Sequence, residues 1–187
     1  MKLLDEILAH NEKFVEKKDY ETYQTGKLPN KRLVIISCMD TRLVELLPKS
    51  MNIANGDAKI IKTAGAIVSD PFDSVMSSIL VAVYQLQADE VYVVGHHDCG
   101  MTGLTAEIVL ENAKKRGISE EKLETLQHSG INLDEFLKGF DRVENSVGHS
   151  AKTIKSHPLL PDGVPVHGLV ISPETGKLDV VRNGYTD

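Results

Sequence analysis

The chain is poor in the residues and runs that define several classes of protein. It has two cysteines among 187 residues, too few for a framework of disulfides. Tryptophan is absent, which excludes any ligand pocket built on that residue. No stretch is long and apolar enough to cross a bilayer, and the first residues lack the apolar core of a secretory signal. We therefore expect a cytoplasmic protein whose cysteines are free or bound to a metal.

Positive charge is also scarce. The chain has 21 Lys and Arg against 27 Asp and Glu, which gives a net charge of -6. The longest basic run is Lys114-Lys115-Arg116. Such a surface argues against nucleic acid and anionic membranes as partners. The length is that of one compact domain with a good core, so we expect a single domain over residues 1–187.

Apolar patterns alternate between strands and helices along the chain. Short apolar runs predict strands at 33–37, 59–61, 91–95, 166–171 and 178–181. Helical spacing of apolar residues predicts helices at 3–18, 71–87, 102–115, 119–127, 132–139 and 141–156.

Three of these helices carry signals for where they begin, and Ser119 is the expected cap of the helix at 119–127. Asp70 is the expected N-cap of the second helix, with Pro71 in its first turn. Asp141 and Glu144 are spaced as a variant of the capping box at the start of the last helix. The second helix is apolar nearly all round, so we expect it to pack against the sheet on one side and a second subunit on the other.

This alternation predicts an α/β fold. The expected core is a mostly parallel central sheet with strand order 2-1-3-4, covered by helices. The last two strands form a hairpin, which places an antiparallel C-terminal strand at the edge. Residues 1–30 precede the main fold as an N-terminal helical arm, whose apolar face needs a surface to cover.

Both cysteines lie in short polar clusters that directly follow predicted strands. The first cluster is residues 38–42 and the second is residues 96–99. Thiolate and imidazole are ligands that zinc prefers, and two sulfurs with one nitrogen leave a fourth position for water, as catalytic zinc requires. The candidate zinc ligands are Cys38, His96 and Cys99.

The two clusters should meet at one edge of the sheet. In the order 2-1-3-4, the strands that end before Cys38 and His96 are neighbours, roughly 4.8 Å apart. The step from His96 to Cys99 is about one helical turn, so a helix beginning there would turn both side chains to one point. His97 and Asp98 would then point elsewhere.

The spacings Cys38-x-Asp40-x-Arg42 and His96-x-x-Cys99 resemble the two-part signature of the β-class carbonic anhydrases. The likeness extends from the first predicted strand to the terminal hairpin. It implies one Zn²⁺ per subunit on the three candidate ligands, and dimers or larger assemblies. It also implies reversible hydration of CO2 to bicarbonate, with the loop at Ala64-Gly65 forming part of an apolar substrate pocket.

The chemistry expected of the first cluster follows from its charges. Zinc makes a bound water acidic enough to attack as hydroxide near neutral pH, for which carbonic anhydrase is itself the standard example. Asp40 would orient that hydroxide by accepting its hydrogen bond, and Arg42 would hold Asp40 ionised. If Asp40 instead swings away from Arg42, it becomes a fourth zinc ligand in an inactive state favoured at low pH.

Two other functions remain open from the residues. The same hydroxide could hydrolyse a CO2-like molecule such as carbonyl sulfide or carbon disulfide. Alternatively, the two cysteines could serve a non-catalytic zinc or redox-sensing module. The Asp40 and Arg42 pair argues against that module, because a structural site has no use for an activated water.

Overall fold

A computed structural model describes residues 2–186; the two ends of the predicted domain, Met1 and Asp187, lie outside the described residues. A five-stranded sheet forms its centre, in the order β2-β1-β3-β4-β5. The first four strands are parallel, and β5 runs antiparallel to β4. The predicted fold class and strand order are therefore confirmed. The strands are β1 (Leu33–Cys38), β2 (Ala58–Thr63), β3 (Glu90–His96), β4 (Val166–Ile171) and β5 (Leu178–Arg182).

Seven α-helices lie within residues 2–186, one more than predicted. The additional helix, α2, contains Pro48 in its interior, a residue that usually ends a helix and that obscured the pattern. A short 3-10 helix, Asp19–Tyr23, follows α1. The helices are α1 (Leu3–Glu16), α2 (Leu43–Ser50), α3 (Ser74–Tyr84), α4 (Ala106–Lys115), α5 (Glu120–His128), α6 (Leu133–Leu137) and α7 (Val143–Lys155).

The predicted helix starts need correction. Helix α3 begins at Ser74, where the Asp73 carboxylate accepts a hydrogen bond from the Met76 backbone N–H at 2.8 Å. The Asp70 carboxylate instead accepts from the Phe72 N–H at 2.8 Å, a local turn that keeps the preceding residues out of the helix. The start of α7 is also different, because no side chain there makes a cap hydrogen bond.

Helices cover both faces of the sheet. Helices α3 and α7 pack on one face, α3 against β1 and β2 and α7 against β3 and β4, while α2 packs on the other face. Helix α7 comes especially close to the sheet, because β3 and β4 present glycines to it. A Cβ on Gly95 would lie 2.6 Å from Val143 Cγ2, and one on Gly168 would lie 2.9 Å from Val147 Cγ1. These glycines are needed for the close approach.

Two apolar surfaces are left uncovered. No residue of α1 is buried, and the apolar side of this helix is exposed within the part of the chain described. On α3, Val81 and Tyr84 are exposed while Met76 and Ile79 are fully buried. Among residues 2–186, no helix combines the length and the hydrophobicity that a membrane span requires. The exposed large apolar residues of α1 are Leu3, Leu4, Ile7, Leu8 and Val15.

Candidate metal centre

The three predicted ligands meet at the carboxyl ends of two neighbouring strands. Cys38 is the last residue of β1, His96 is the last residue of β3, and Cys99 lies in the turn that follows. All three are buried, and their ligand atoms lie within 4.8 Å of one another. The two sulfurs are 3.9 Å apart. The described chain thus gathers a set of donors that could hold one metal ion.

The route from His96 to Cys99 is a turn, so the predicted helical turn is wrong. The next helix begins only at Ala106. Asp98 adopts a φ of 53°, in the left-handed region, and this reversal brings Cys99 back toward the strand end. The spacing from His96 to Cys99 correctly predicts that the two side chains come together, but it wrongly predicts a helical backbone between them.

The imidazole of His96 is oriented for metal binding. Its Nδ1 lies 2.8 Å from the carbonyl oxygen of His97, so Nδ1 carries the proton and donates it there. The lone pair is then on Nε2, which is buried and has no hydrogen-bond partner within residues 2–186. Metal-binding histidines are commonly fixed by such a bond from the other ring nitrogen. The buried Nε2 and the two sulfurs fit zinc, which is tetrahedral and favours these donors.

The two thiols are strongly coupled. The hydrogen bond from Cys99 lowers the pKa of Cys38 to about 4, helped by His96 and by the Gly65 backbone N–H, 3.3 Å from Sγ. Sharing its proton with Cys38, together with burial, raises the pKa of Cys99 far above its ordinary value. Burial opposes protonation of His96, but the neighbouring Cys38 sulfur and the bond to the His97 carbonyl raise its pKa overall. The pocket therefore favours one thiolate beside one retained proton, which a divalent ion would displace.

Asp40 and Arg42 form a pair beside the three donors. The guanidinium donates to the carboxylate through Nε at 3.0 Å and through Nη2 at 2.9 Å. These bonds lower the pKa of Asp40 to about 2, so the carboxylate is ionised at neutral pH. One of its oxygens lies 3.7 Å from Nε2 of His96. The charged pair therefore borders the cluster of candidate ligands.

One contact of this pair was not anticipated. The Arg42 guanidinium also donates from Nη1 to the Asp98 carboxylate at 2.8 Å. The sequence pattern predicted that Asp98 points away from the candidate ligands, and it gave Asp98 no role. Its position within a tight turn between His96 and Cys99 was the available signal, because aspartate tolerates left-handed backbone better than most residues do.

A cavity of about 370 Å³ opens beside the sulfurs and Asp40. Ala64 and Gly65, the residues predicted to form part of a substrate pocket, lie in its wall. Gly65 has a φ of 69°, and a Cβ there would lie 2.9 Å from Phe140 Cε1. The loop can therefore pass close to the cluster only with glycine at this position. The other lining residues are Met39, Thr41, Gly100 and Met101.

The fold and the site together define an α/β protein with a candidate cysteine and histidine metal centre at the carboxyl ends of parallel strands. The family model for carbonic anhydrase matches residues 33–178 of the chain. This chain belongs to the β-carbonic anhydrase family.

Two similar proteins come from Bacillus subtilis strain 168. The protein named "Putative carbonic anhydrase YtiB" is 59% identical over 187 residues, which is 100% of both chains. The protein named "Putative carbonic anhydrase YvdA" is 63% identical over 182 residues, which is 97% of this chain and 92% of YvdA. Among solved structures, β-carbonic anhydrase isoform I of Trichomonas vaginalis is 31% identical, with a TM-score of 0.88 over 99% of this chain and 100% of that one.

A more distant relative has a different named substrate. The carbon disulfide hydrolase of Acidianus strain A1-3 is 32% identical over 173 residues, or 86% of this chain and 82% of the hydrolase. Family membership alone therefore leaves the substrate to be argued from the site.

Proposed function

We propose that this chain is a zinc-dependent carbonic anhydrase that interconverts CO2 with bicarbonate and a proton. The observation that carries this proposal is the convergence of Cys38, His96 and Cys99 within 4.8 Å, bordered by an ionised carboxylate. The similarity to named carbonic anhydrases over the full chain supports it.

The buried sulfurs and Nε2 of His96 would hold one Zn²⁺ per subunit. When bound, zinc supplies a water acidic enough to act as hydroxide near neutral pH. Two thiolates neutralise the formal charge of the ion, so we expect a weaker Lewis acid than a site of three imidazoles would give. Orientation of the attacking water by neighbouring residues then matters more.

Asp40 would supply that orientation. Because Arg42 keeps its carboxylate ionised, Asp40 can accept a hydrogen bond from the attacking water and direct an oxygen lone pair toward the substrate. Without Arg42, a carboxylate so close to hydroxide would repel it. An Asp40 carboxylate released from Arg42 would instead reach the metal and block the position for water, an inactive state that low pH favours.

The cavity next to the sulfurs suits a small apolar substrate. Ala64 and Gly65 form one wall, while Met39 and Met101 add apolar surface. CO2 needs such walls more than it needs charged binding groups. We further propose that the chain acts in the cytoplasm. We also propose that it forms a homodimer or larger homo-oligomer, since apolar residues of α1 and α3 are exposed.

Zinc content and turnover test the proposed function together. Protein purified under reducing conditions should hold about one zinc per chain and hydrate CO2 in stopped-flow assays, with a rate that rises with pH. A chelator should abolish turnover and added zinc should restore it. A chain that binds zinc stoichiometrically but leaves CO2 untouched would contradict the proposal.

A second candidate function is hydrolysis of carbon disulfide or carbonyl sulfide at the same site. It is favoured by the similarity to a carbon disulfide hydrolase at 32% identity. The zinc-loaded protein should be assayed on CO2, carbonyl sulfide and carbon disulfide in parallel. The substrate with the highest kcat/KM identifies the activity, while zinc binding without turnover on any of the three would favour the non-catalytic module.

A further inference from the structure

Arg42 is held by two acidic residues that come from different loops. Asp40 lies in the loop after β1 and accepts from Nε and Nη2. Asp98 lies in the turn after β3 and accepts from Nη1 at 2.8 Å. Nη2 also donates to the backbone carbonyl oxygen of Asp98 at 2.9 Å. The guanidinium is therefore bound along several of its edges, which fixes its plane.

We propose that Asp98 is a positioning residue, which fixes the guanidinium of Arg42 and, through it, the orientation of the Asp40 carboxylate. The inference rests on the proposed function, because orientation of Asp40 matters only if Asp40 directs an attacking water. Asp98 acts through Arg42 and is not itself placed at the reacting atoms.

The topology explains why Arg42 needs a contact with Asp98 in addition to its contact with Asp40. Asp40 and Arg42 are two residues apart in one loop, so their mutual bonds do not fix the pair relative to the other loop. His96 ends β3, and Asp98 and Cys99 lie in the turn that directly follows it. The contact from Arg42 to Asp98 therefore ties the Asp40 carboxylate to the segment, from the end of β3 through this turn, that supplies two of the three candidate ligands. A shift of about 1 Å between reacting groups can cost 100-fold in rate.

The local conformation of Asp98 suits this role. Its φ of 53° turns both its carbonyl and its carboxylate toward one guanidinium. Its side chain is 84% exposed, and that of Arg42 is 42% exposed. Ion pairs as exposed as this contribute little to stability, so replacing Asp98 should alter the orientation of Arg42 while leaving the fold intact.

Two substitutions separate the side chain from the backbone. Asp98→Asn keeps an acceptor oxygen and tolerates the left-handed backbone, whereas Asp98→Gly keeps the backbone but loses the acceptor. In the zinc-loaded protein, Asp98→Gly should lower kcat/KM for CO2 roughly tenfold and Asp98→Asn about threefold or less. Zinc content and the thermal midpoint should match those of the wild type in both variants.

Asp89→Asn is the matched control. Asp89 is an exposed carboxylate paired with Arg32, just before β3 and at the opposite end of that strand from His96. Its replacement also removes one negative charge from an arginine pair, so kcat/KM should not change. A double-mutant cycle completes the test, because Asp98→Gly should cause no further loss in an Arg42→Ala background. A full additional loss there would contradict action through Arg42.

A measurement independent of turnover is the nitrogen-15 side-chain spectrum of the zinc-loaded protein. The Arg42 signals are assigned by their absence from Arg42→Ala. We expect restricted guanidinium rotation in the wild type and faster rotation in Asp98→Gly. Unaltered Arg42 signals, or unaltered kcat/KM in Asp98→Gly, would overturn the proposal. If the wild type hydrates no CO2, the proposed function fails, whereas these signals still decide whether Asp98 holds Arg42.

Discussion

Arg42 is the residue that keeps the Asp40 carboxylate ionised beside the candidate ligands. Arg42→Ala should lower kcat/KM for CO2 about 100-fold while zinc content stays unchanged, because the guanidinium orients Asp40 and lies outside the ligand set. Loss of Arg42 should also raise the pKa of Asp40 toward its ordinary value, so activity should be lost at a higher pH on the acid side.

Arg42→Lys is the control for charge alone. Lysine keeps the positive charge but cannot donate in the planar, two-bond geometry of a guanidinium. It should restore part of the acid-side pH range but little of the turnover. Stopped-flow CO2 hydration from pH 5 to 9, together with zinc analysis, measures both effects. Wild-type turnover in Arg42→Ala would refute the role of the pair.

At the residue scale, the sequence was sufficient to bring together Cys38, His96 and Cys99, because donor type and strand order decide that convergence. The sequence was not sufficient for Asp98. Its contact depends on one left-handed residue, and no periodic pattern reports a single backbone torsion. The state of the two thiols also required the structure, since their pKa values depend on a separation of 3.9 Å.

Among the elements, the contact between α7 and the sheet gives a prediction about stability. Gly95→Ala should destabilise the fold by about 2 kcal/mol, because its Cβ would clash with Val143 and Val147. The matched control is Gly148→Ala on α7 itself, where the nearest atom is 3.9 Å away. Alanine favours helix over glycine there, so this variant should be more stable by about 0.5 kcal/mol.

Urea unfolding followed by circular dichroism measures both free energies. Replacing Val147 by alanine in the Gly95→Ala background should recover part of the loss, because it removes one of the two clashing methyl groups. Equal stabilities of Gly95→Ala and Gly148→Ala would contradict the close packing of α7.

The corrected start of α3 gives a second prediction at this scale. Asp73→Ala should cost about 1 kcal/mol, because it removes the carboxylate that accepts the Met76 N–H. Asp70→Ala, at the residue that the sequence favoured as the cap, should cost less than about 0.5 kcal/mol, since Asp70 supports only an exposed turn. Thermal unfolding compares the stabilities of the two variants. A larger loss in Asp70→Ala than in Asp73→Ala would contradict Asp73 as the N-cap and favour a helix that starts at Pro71.

Element types and order were predictable because apolar periodicity reflects burial on the sheet, and all five strands appeared as predicted. The residues at which the helices start were harder to predict from the sequence. Asp70 and Asp73 both satisfy the preference for aspartate at an N-cap, and the choice between them depends on which backbone N–H each carboxylate reaches. Helix α2 was missed because Pro48 interrupts its pattern.

For the whole molecule, the exposed face of α1 predicts association. Leu8→Lys should shift the protein toward monomers, because it places a charge on the apolar face that we propose to cover a second copy. The control is Glu16→Lys on the opposite face of the same helix, which should leave the oligomeric state unchanged. Analytical ultracentrifugation at several concentrations gives the result, and identical distributions for both variants would argue against the arm as an interface.

Metal should also stabilise the molecule as a unit. The candidate ligands join the ends of β1 and β3 at the centre of the sheet, so a bound ion should raise the thermal midpoint by several degrees. Chelation should reverse that rise in the wild type. In Cys99→Ser, one sulfur donor is missing, so the midpoint should respond little to added zinc. Scanning calorimetry with and without zinc tests this, and an equal zinc response in both proteins would place the ion elsewhere.

The separation of the donors along the chain has a consequence during synthesis. Cys38 leaves the ribosome well before His96 and Cys99. The carboxyl ends of β1 and β3, where these residues lie, come together only when β3 has paired with β1. A nascent or truncated polypeptide that ends before β3 therefore offers a single thiol and captures zinc weakly. If the proposed zinc binds here, its retention would report that translation has passed Cys99 and that the middle of the sheet has assembled.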